Sequence, residues 1–305
     1  MYKVALWGTG NGYNLFSSHH GHSMVEVVAI TDSKWSGYYK SIDGIPVVPT
    51  EKIADVPFDY LIISVIDDCI YKEIVNEAMQ LGIKREVILP LRIFKIPFFD
   101  FDEYIKIKES NVSIISDYCF GVYLYHKFGM KFTSPTILMY ADNDNYLRFL
   151  KDIRGHLAEP MREVENCVET PYKDIFSYPR GRVGDSERLF NHDKTFETAA
   201  ERWNKGVERF NYDNYIVTMT IRSEKAAYEF DKVEIKNKVG FFWKDLGLES
   251  VVYMPEWNDP AIRAKFGYDF ARLVNHVAIE AGGIWRIDWM RLLLHKDNFK
   301  RIDYC

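Results

Sequence analysis

The chain is sparing in several features that would assign it to a common class. Its 305 residues include only four cysteines, at 69, 119, 167 and 305. They show neither metal-ligand spacing nor the density of a disulfide framework, which excludes a zinc ribbon or a stapled scaffold and fits a reducing compartment. Charge of one sign is not in excess either: 39 Lys and Arg stand against 44 Asp and Glu, a net charge of -5. No Lys/Arg cluster is interleaved with aromatics, so nucleic acid is not an expected partner. Long apolar runs are missing; "YLIISVI", residues 60–66, falls far short of the roughly 20 residues that span a bilayer. The first residues lack the basic stretch and long apolar core of a secretory leader. These absences predict a cytoplasmic protein with no integral membrane segment and no metal site.

What the chain does have is core material, 47% hydrophobic and 15% aromatic residues, enough for two domains of ordinary size. Over roughly the first hundred residues the pattern alternates between strand and helix, which predicts an α/β fold with a Rossmann-like parallel sheet over residues 1–95. "KVALW", "VEVVAITD", "FDYLIISV" and "EVILP" read as its strands. Ile70, Ile74, Val75, Ala78 and Leu81 share one helical face that stops at Gly82. Between Asp32 and Phe58, glycines and prolines predict a loop around a short strand, "IPVV".

The first strand runs into Gly8-Thr9-Gly10-Asn11-Gly12. A tight strand-to-helix turn needs glycine where the backbone bends and where it approaches a ligand, and the helix start offers unpaired N–H groups to a phosphate. Asp32 closes the second strand 20 residues beyond Gly12, where an acid would accept hydrogen bonds from ribose hydroxyls. The spacing Gly8, Gly10, Gly12 departs from G-x-G-x-x-G, because position 13 is Tyr. That disfavours a nicotinamide dinucleotide and leaves a nucleotide or nucleotide-sugar as the expected ligand. The bland alternative is that the glycines serve helix–sheet packing alone. The stretches "VALWGTGNGYNLF", "VVAITDS", "GYYKSIDGIPVV" and "FDYLIISV" together resemble the small Rossmann-like domain attached to bacterial surface-glycan enzymes, including sugar O-acetyltransferases of the sialic-acid type. The resemblance implies that this domain holds a UDP-sugar.

"LRIFKIPFFDFDEYIKIKES" exchanges β-branched alternation for aromatic and charged residues and reads as a junction. From residue 108 to 305 a second α/β domain is expected. "VSIIS" opens it as a strand, "DYCFGVYLYHKFG" is a loop and short helix, and "NDNYLRFLKDI" is a helix beginning near Tyr146 that "ADNDN" caps. Phe196, Ala199, Ala200, Trp203, Val207 and Phe210 form a helical stripe, as do Phe266, Phe270, Leu273, Val274 and Val277; "YIVTMTI" and "KVGFFW" read as buried strands around the helix-prone "SEKAAYEFD". The segments "IISDYCFGVYLYHKFGMKFTSPTI", "YLRFL", "YPRGRVGD" and "AAERWNKGVERFNYDNYIVTMT" resemble a domain known in bacteria as an exopolysaccharide or capsule biosynthesis protein, over about residues 108–245. That family's more usual Asn-Asn-Cys-Trp-Gly stands here as Asp117-Tyr118-Cys119-Phe120-Gly121, and its basic run is thinned to "WNKGVER".

Two chemistries are open to this second domain. Ser116, Asp117 and Cys119 follow a strand directly, where ligands of open α/β sheets gather, and a cysteine at a helix N-terminus has a lowered pKa. His126 or His192 would complete a thiol–imidazole pair; against this, a single cysteine commonly packs as a small hydrophobe. Transfer from a sugar diphosphate instead needs phosphate ligands. Arg180 and Arg182, with Gly121 and the hydroxyls of Ser134 and Thr136, would supply them, unless "YPRGRVGD" is a turn with solvated arginines. The expectation is a transferase of surface-polysaccharide biosynthesis acting on a nucleotide-activated sugar or glycan. Its alternatives are an NAD(P)-dependent sugar oxidoreductase, a cysteine-dependent hydrolase or acyltransferase, and a non-catalytic glycan-assembly partner.

Overall fold

A computed structural model of the chain describes residues 1–18, 24–34, 37–96, 98–165, 178–266 and 287–300. They form two compact units, Met1–Lys106 with Lys127–Gly129, and Ile107–His126 with Met130–Cys305.

In the first unit the strands are β1 (Tyr2–Trp7), β2 (Val25–Thr31), β3 (Ser41–Ile42), β4 (Ile45–Pro46), β5 (Tyr60–Ile63) and β6 (Ile88–Pro90). Four of them make an entirely parallel sheet in the order β2-β1-β5-β6. Val4, Ala5, Leu6, Leu61, Ile62 and Ile63 are fully buried, as expected of parallel strands covered on both faces. The first strand lies inside the sheet with the second on one side and the third parallel strand on the other. The chain therefore changes direction across β1 and β5, and that switch opens a crevice beyond their carboxyl ends. "IPVV" contributes only the two residues of β4, paired antiparallel with β3 through a turn at Asp43 and Gly44, both with positive φ. Helix α1 spans Asn11–Ser18 and α2 spans Asp68–Gln80, the latter capped by Asp67, whose carboxylate accepts from the Cys69 and Ile70 amides.

The stretch read as a junction packs into this first unit. Phe94, Phe99, Phe101 and Tyr104 are buried against Tyr2 and Tyr60 in a run of ring contacts. Helix α3 (Phe101–Glu109) follows. Aromatic bulk, which departs from strand alternation in the sequence, here packs through edge-to-face and tilted ring contacts.

The second unit is also α/β. Strands β7 (Ser113–Ser116), β11 (Tyr215–Thr220), β12 (Lys238–Phe242) and β13 (Val251–Tyr253) form a parallel sheet in which spatial order follows chain order. Between the first two lie α4 (Phe120–Phe128), α5 (Asn143–Lys151), α6 (Ile153–Ala158) and α7 (Phe196–Arg209), with a small antiparallel sheet of β8 (Arg162–Glu163), β9 (Arg180–Val183) and β10 (Ser186–Leu189). Helix α8 (Glu224–Asp231) connects β11 to β12. The expected helix over 143–153 is two helices. Asp142 caps the first at Asn143, a turn earlier than Tyr146, and Asp152 caps the second, because each carboxylate satisfies an otherwise orphaned amide. The helical stripe of α7 buries Ala199, Trp203 and Gly206. A Cβ at Gly206 would stand 2.4 Å from the Pro135 Cα, so this glycine lets the Ser134–Pro135 backbone lie against the helix. The stripe from Phe270 to Val277 lies outside the described residues, as do Cys167 and Cys305. Among the described residues no helix is long and apolar enough to cross a membrane.

Candidate functional site

In the first unit, a cavity of about 560 Å³ opens at the switch between β1 and β5, lined by Gly8, Gly10, Gly12, Asp32, Ser64 and Ile70 among others. The three glycines divide the work of the turn. Gly8 has φ +119°, which an L side chain rarely adopts. A Cβ on Gly12 would lie 1.6 Å from the Ser64 carbonyl oxygen, whereas one on Gly10 would meet nothing within 4 Å. Gly12 thus allows α1 to sit against the sheet, and Gly10 leaves the backbone open toward the cavity. The packing explanation accounts for Gly12 and leaves Gly10 over.

Asp32 holds the same turn. Its Oδ2 accepts from the Thr9 amide at 2.8 Å and the Thr9 hydroxyl at 2.7 Å, and its Oδ1 from the Lys34 amide at 2.9 Å. Two carboxylate oxygens offer about four lone-pair directions, so one remains for a ligand hydroxyl. Tyr13 donates its amide to the Gly10 carbonyl at 2.9 Å. The amides of Asn11 and Gly12, at the first turn of α1, have no intrahelical acceptor, and both residues line the cavity. The corresponding end of α2 is already closed by Asp67. Sequence reasoning missed Ser64. Its hydroxyl donates to the Gly8 carbonyl at 2.8 Å, and its signal was the one polar residue ending an otherwise apolar third strand.

In the second unit, the segment after β7 is pinned on both sides. The Ser116 hydroxyl donates to the Tyr118 carbonyl at 2.6 Å and accepts from the Gly121 amide at 3.3 Å. The Asp117 carbonyl accepts from the Ala141 amide at 2.9 Å. Gly121 is needed for contact, since a Cβ there would lie 2.8 Å from the Ser116 Oγ. Cys119 immediately precedes α4, and its Sγ lies 3.3 Å from the Nε2 of His192. The loop bearing that histidine is anchored next door, where Asp193 pairs with Arg202 and Arg202 also donates to the Leu138 carbonyl at 3.2 Å. His126 is exposed within α4.

Asp117 occupies a different environment from its neighbours. It is 1% exposed, and its Oδ1 accepts from the Thr220 amide at 3.0 Å, joining the ends of β7 and β11. Its Oδ2 is buried without a hydrogen-bond partner. Burial pushes this carboxyl up to about 7, against the opposing Thr220 amide and the Arg222 charge.

The other predicted residues are engaged elsewhere. Ser134 and Thr136 are fully buried. Their hydroxyls lie 3.1 Å apart, and Thr136 accepts from the Ser116 amide at 3.0 Å, so they brace the strand end from within. "YPRGRVGD" is half of a β-hairpin turning at Gly184 and Asp185, with Val183 opposite Ser186. Arg180 and Arg182 project beside Glu187 and both pair with it, the former at 2.7 Å. The two guanidinium groups lower the Glu187 carboxyl below its usual range. A phosphate would have to displace that carboxylate. Among the described residues no group of three or more His, Cys, Asp or Glu is arranged to hold a metal ion.

Comparison with known proteins also divides the chain in two, between residues 89 and 91 rather than at Lys106. Residues 91–278, more than half of the chain, match the family described as a domain of unknown function, DUF1919. Residues 1–89 match a domain described as C2185-like, N-terminal. An uncharacterized protein of Haemophilus influenzae is 31% identical over 142 residues, which is 46% of this chain and 65% of that protein. The chain thus spans less than two thirds of that relative's length.

Proposed function

This chain belongs to the DUF1919 family, and from the geometry above we propose that it is a transferase of bacterial surface-polysaccharide biosynthesis that takes a nucleotide-activated sugar. The observation that carries the reading is the cavity at the sheet's switch point, where Gly10 leaves its side open and Asp32 closes the neighbouring strand. The α1 amides receive the diphosphate, the remaining lone pair of Asp32 accepts from the ribose, and Ile66 and Ile70, both exposed, offer an apolar surface to the base. Such a pocket, apolar with a few convergent polar groups, is the usual form of a small-molecule site. The resemblance of the first unit to the sugar-nucleotide domains of surface-glycan enzymes supports the same substrate class.

A thermal-shift panel of UDP-, GDP-, CDP- and CMP-sugars beside NAD and NADP tests this directly. A ligand at 100 times its dissociation constant stabilises by about 2.7 kcal/mol, so one nucleotide-sugar class is expected to raise the melting temperature while the dinucleotides do not. Gly10→Val is expected to remain folded, since its Cβ meets no protein atom within 4 Å, and to lose that shift because its methyls occupy the ligand's approach. A folded Gly10→Val protein with undiminished binding would overturn the assignment of the turn.

A further inference from the structure

We propose that Cys119 is a covalent nucleophile activated by His192, and that the group it carries is an acyl group taken from a thioester. The proposal concerns the second unit alone and stands whether or not the first unit binds a nucleotide.

Three observations combine. The first is the pair itself: the Cys119 Sγ and the His192 Nε2 are 3.3 Å apart although 73 residues separate them in the chain, within the reach expected of a nucleophile and its base. Second, both partners are braced by their sequence neighbours. The Ser116 hydroxyl bridges the Tyr118 carbonyl and the Gly121 amide, which flank the cysteine, and the half-buried Asp193–Arg202 ion pair fixes the residue after the histidine. A nucleophile presented this way between a strand end and a helix start is preorganised rather than merely nearby. Third, Cys119 directly precedes the nine-residue helix α4. The positive end of that helix favours a thiolate and the oxyanion that forms when the thiolate adds to a carbonyl. Cys119 and His192 are also accessible, half-buried and exposed respectively.

The chemistry balances without any redox partner. The thiol proton passes from Sγ to the unprotonated Nε2. The thiolate adds to the carbonyl carbon of the acyl thioester, the carbon–sulfur bond of the donor breaks, and the departing thiolate takes the proton back from His192. Cys119 is left as an S-acyl thioester. An acceptor hydroxyl then gives its proton to Nε2 and attacks the acyl carbon, and the released Cys119 thiolate recovers the proton. Arg180 and Arg182, the arginines expected to hold a phosphoryl donor, are both paired with Glu187.

Cys69 supplies an internal comparison, being exposed and also at the N-terminal end of a helix, in the first turn of α2. Full-length protein is treated with iodoacetamide at pH 6.5, and alkylation of each cysteine is followed by peptide mass spectrometry. Cys119 is expected to react about tenfold faster than Cys69, and His192→Gln to bring the two rates together. Incubation with the acetyl thioester of N-acetylcysteamine should then place an acetyl group on the Cys119 peptide in the wild type and on none in Cys119→Ser, whose far-UV circular dichroism is expected to match. Equal alkylation rates in the wild type, or a Cys119 rate indifferent to His192→Gln, would overturn the activated thiolate. Fast alkylation without acetyl transfer, or sulfenic acid formation with dilute peroxide in its place, would overturn the acyl assignment.

Discussion

Gly12→Ala is expected to destabilise the protein by at least about 3 kcal/mol, read as a fall in the urea midpoint, while Gly10→Ala two residues away costs no more than about 1 kcal/mol. The added methyl at position 12 would stand 1.6 Å from the Ser64 oxygen and 2.4 Å from its carbonyl carbon. Both are backbone atoms, so no rotamer change relieves the clash. Ser64 cannot retreat, because its amide donates to the Trp7 carbonyl at 2.9 Å and its hydroxyl to the Gly8 carbonyl at 2.8 Å. Helix α1 would have to lift from the sheet, exposing Tyr13 and Phe16, which are 6% and 2% exposed. At Gly10 the same methyl meets no atom within 4 Å, and only the preference for glycine over alanine before a helix is lost. Similar losses for the two variants would show that the turn does not carry α1 against Ser64.

Asp117→Asn is expected to become more stable relative to wild type as pH rises. The native carboxyl lies near 7, above the unfolded value of about 3.9. A raised carboxyl binds its proton more tightly in the folded state, so its stabilising contribution is complete below about pH 4 and is lost as pH rises to 7. Asparagine keeps an oxygen for the Thr220 amide and never ionises. Relative to wild type, the variant should therefore gain up to about 4 kcal/mol between pH 4 and pH 8. Groups common to both proteins cancel in that difference. A stability difference that stays flat across this range would mean that the carboxyl titrates normally, and hence that its burial is relieved in solution.

Periodicity made much of the architecture legible. The first unit's parallel strands were readable because buried parallel strands are nearly continuous apolar runs ending at glycine or an acid, as "KVALW" and "VEVVAITD" do. The stripe from Phe196 to Phe210 and the helix over 224–231 were equally plain. The hairpin of Arg180–Val183 and Ser186–Leu189 was missed, although Gly184-Asp185 between two short alternating segments is a hairpin signal. Two arginines beside glycines drew the reading toward a loop. Once paired, Arg182 stands opposite Glu187, and the arginines become partners of an acid.

By itself, then, the sequence determined the strands of the two parallel sheets, most of the helices beside them, and that Cys119 would stand between a strand end and a helix start. These follow from local geometry, whose period is printed in neighbouring residues. Only the tertiary structure decided that Gly12 serves packing and Gly10 the cavity, that Ser134 and Thr136 turn inward, that Asp117 is buried, and that His192 rather than His126 meets Cys119. Each of those depends on what lies across the fold, with 73 residues between Cys119 and His192 and 103 between Asp117 and Thr220. Local residue preferences do not encode separations of that size, because the contacts are selected by the packing of whole elements.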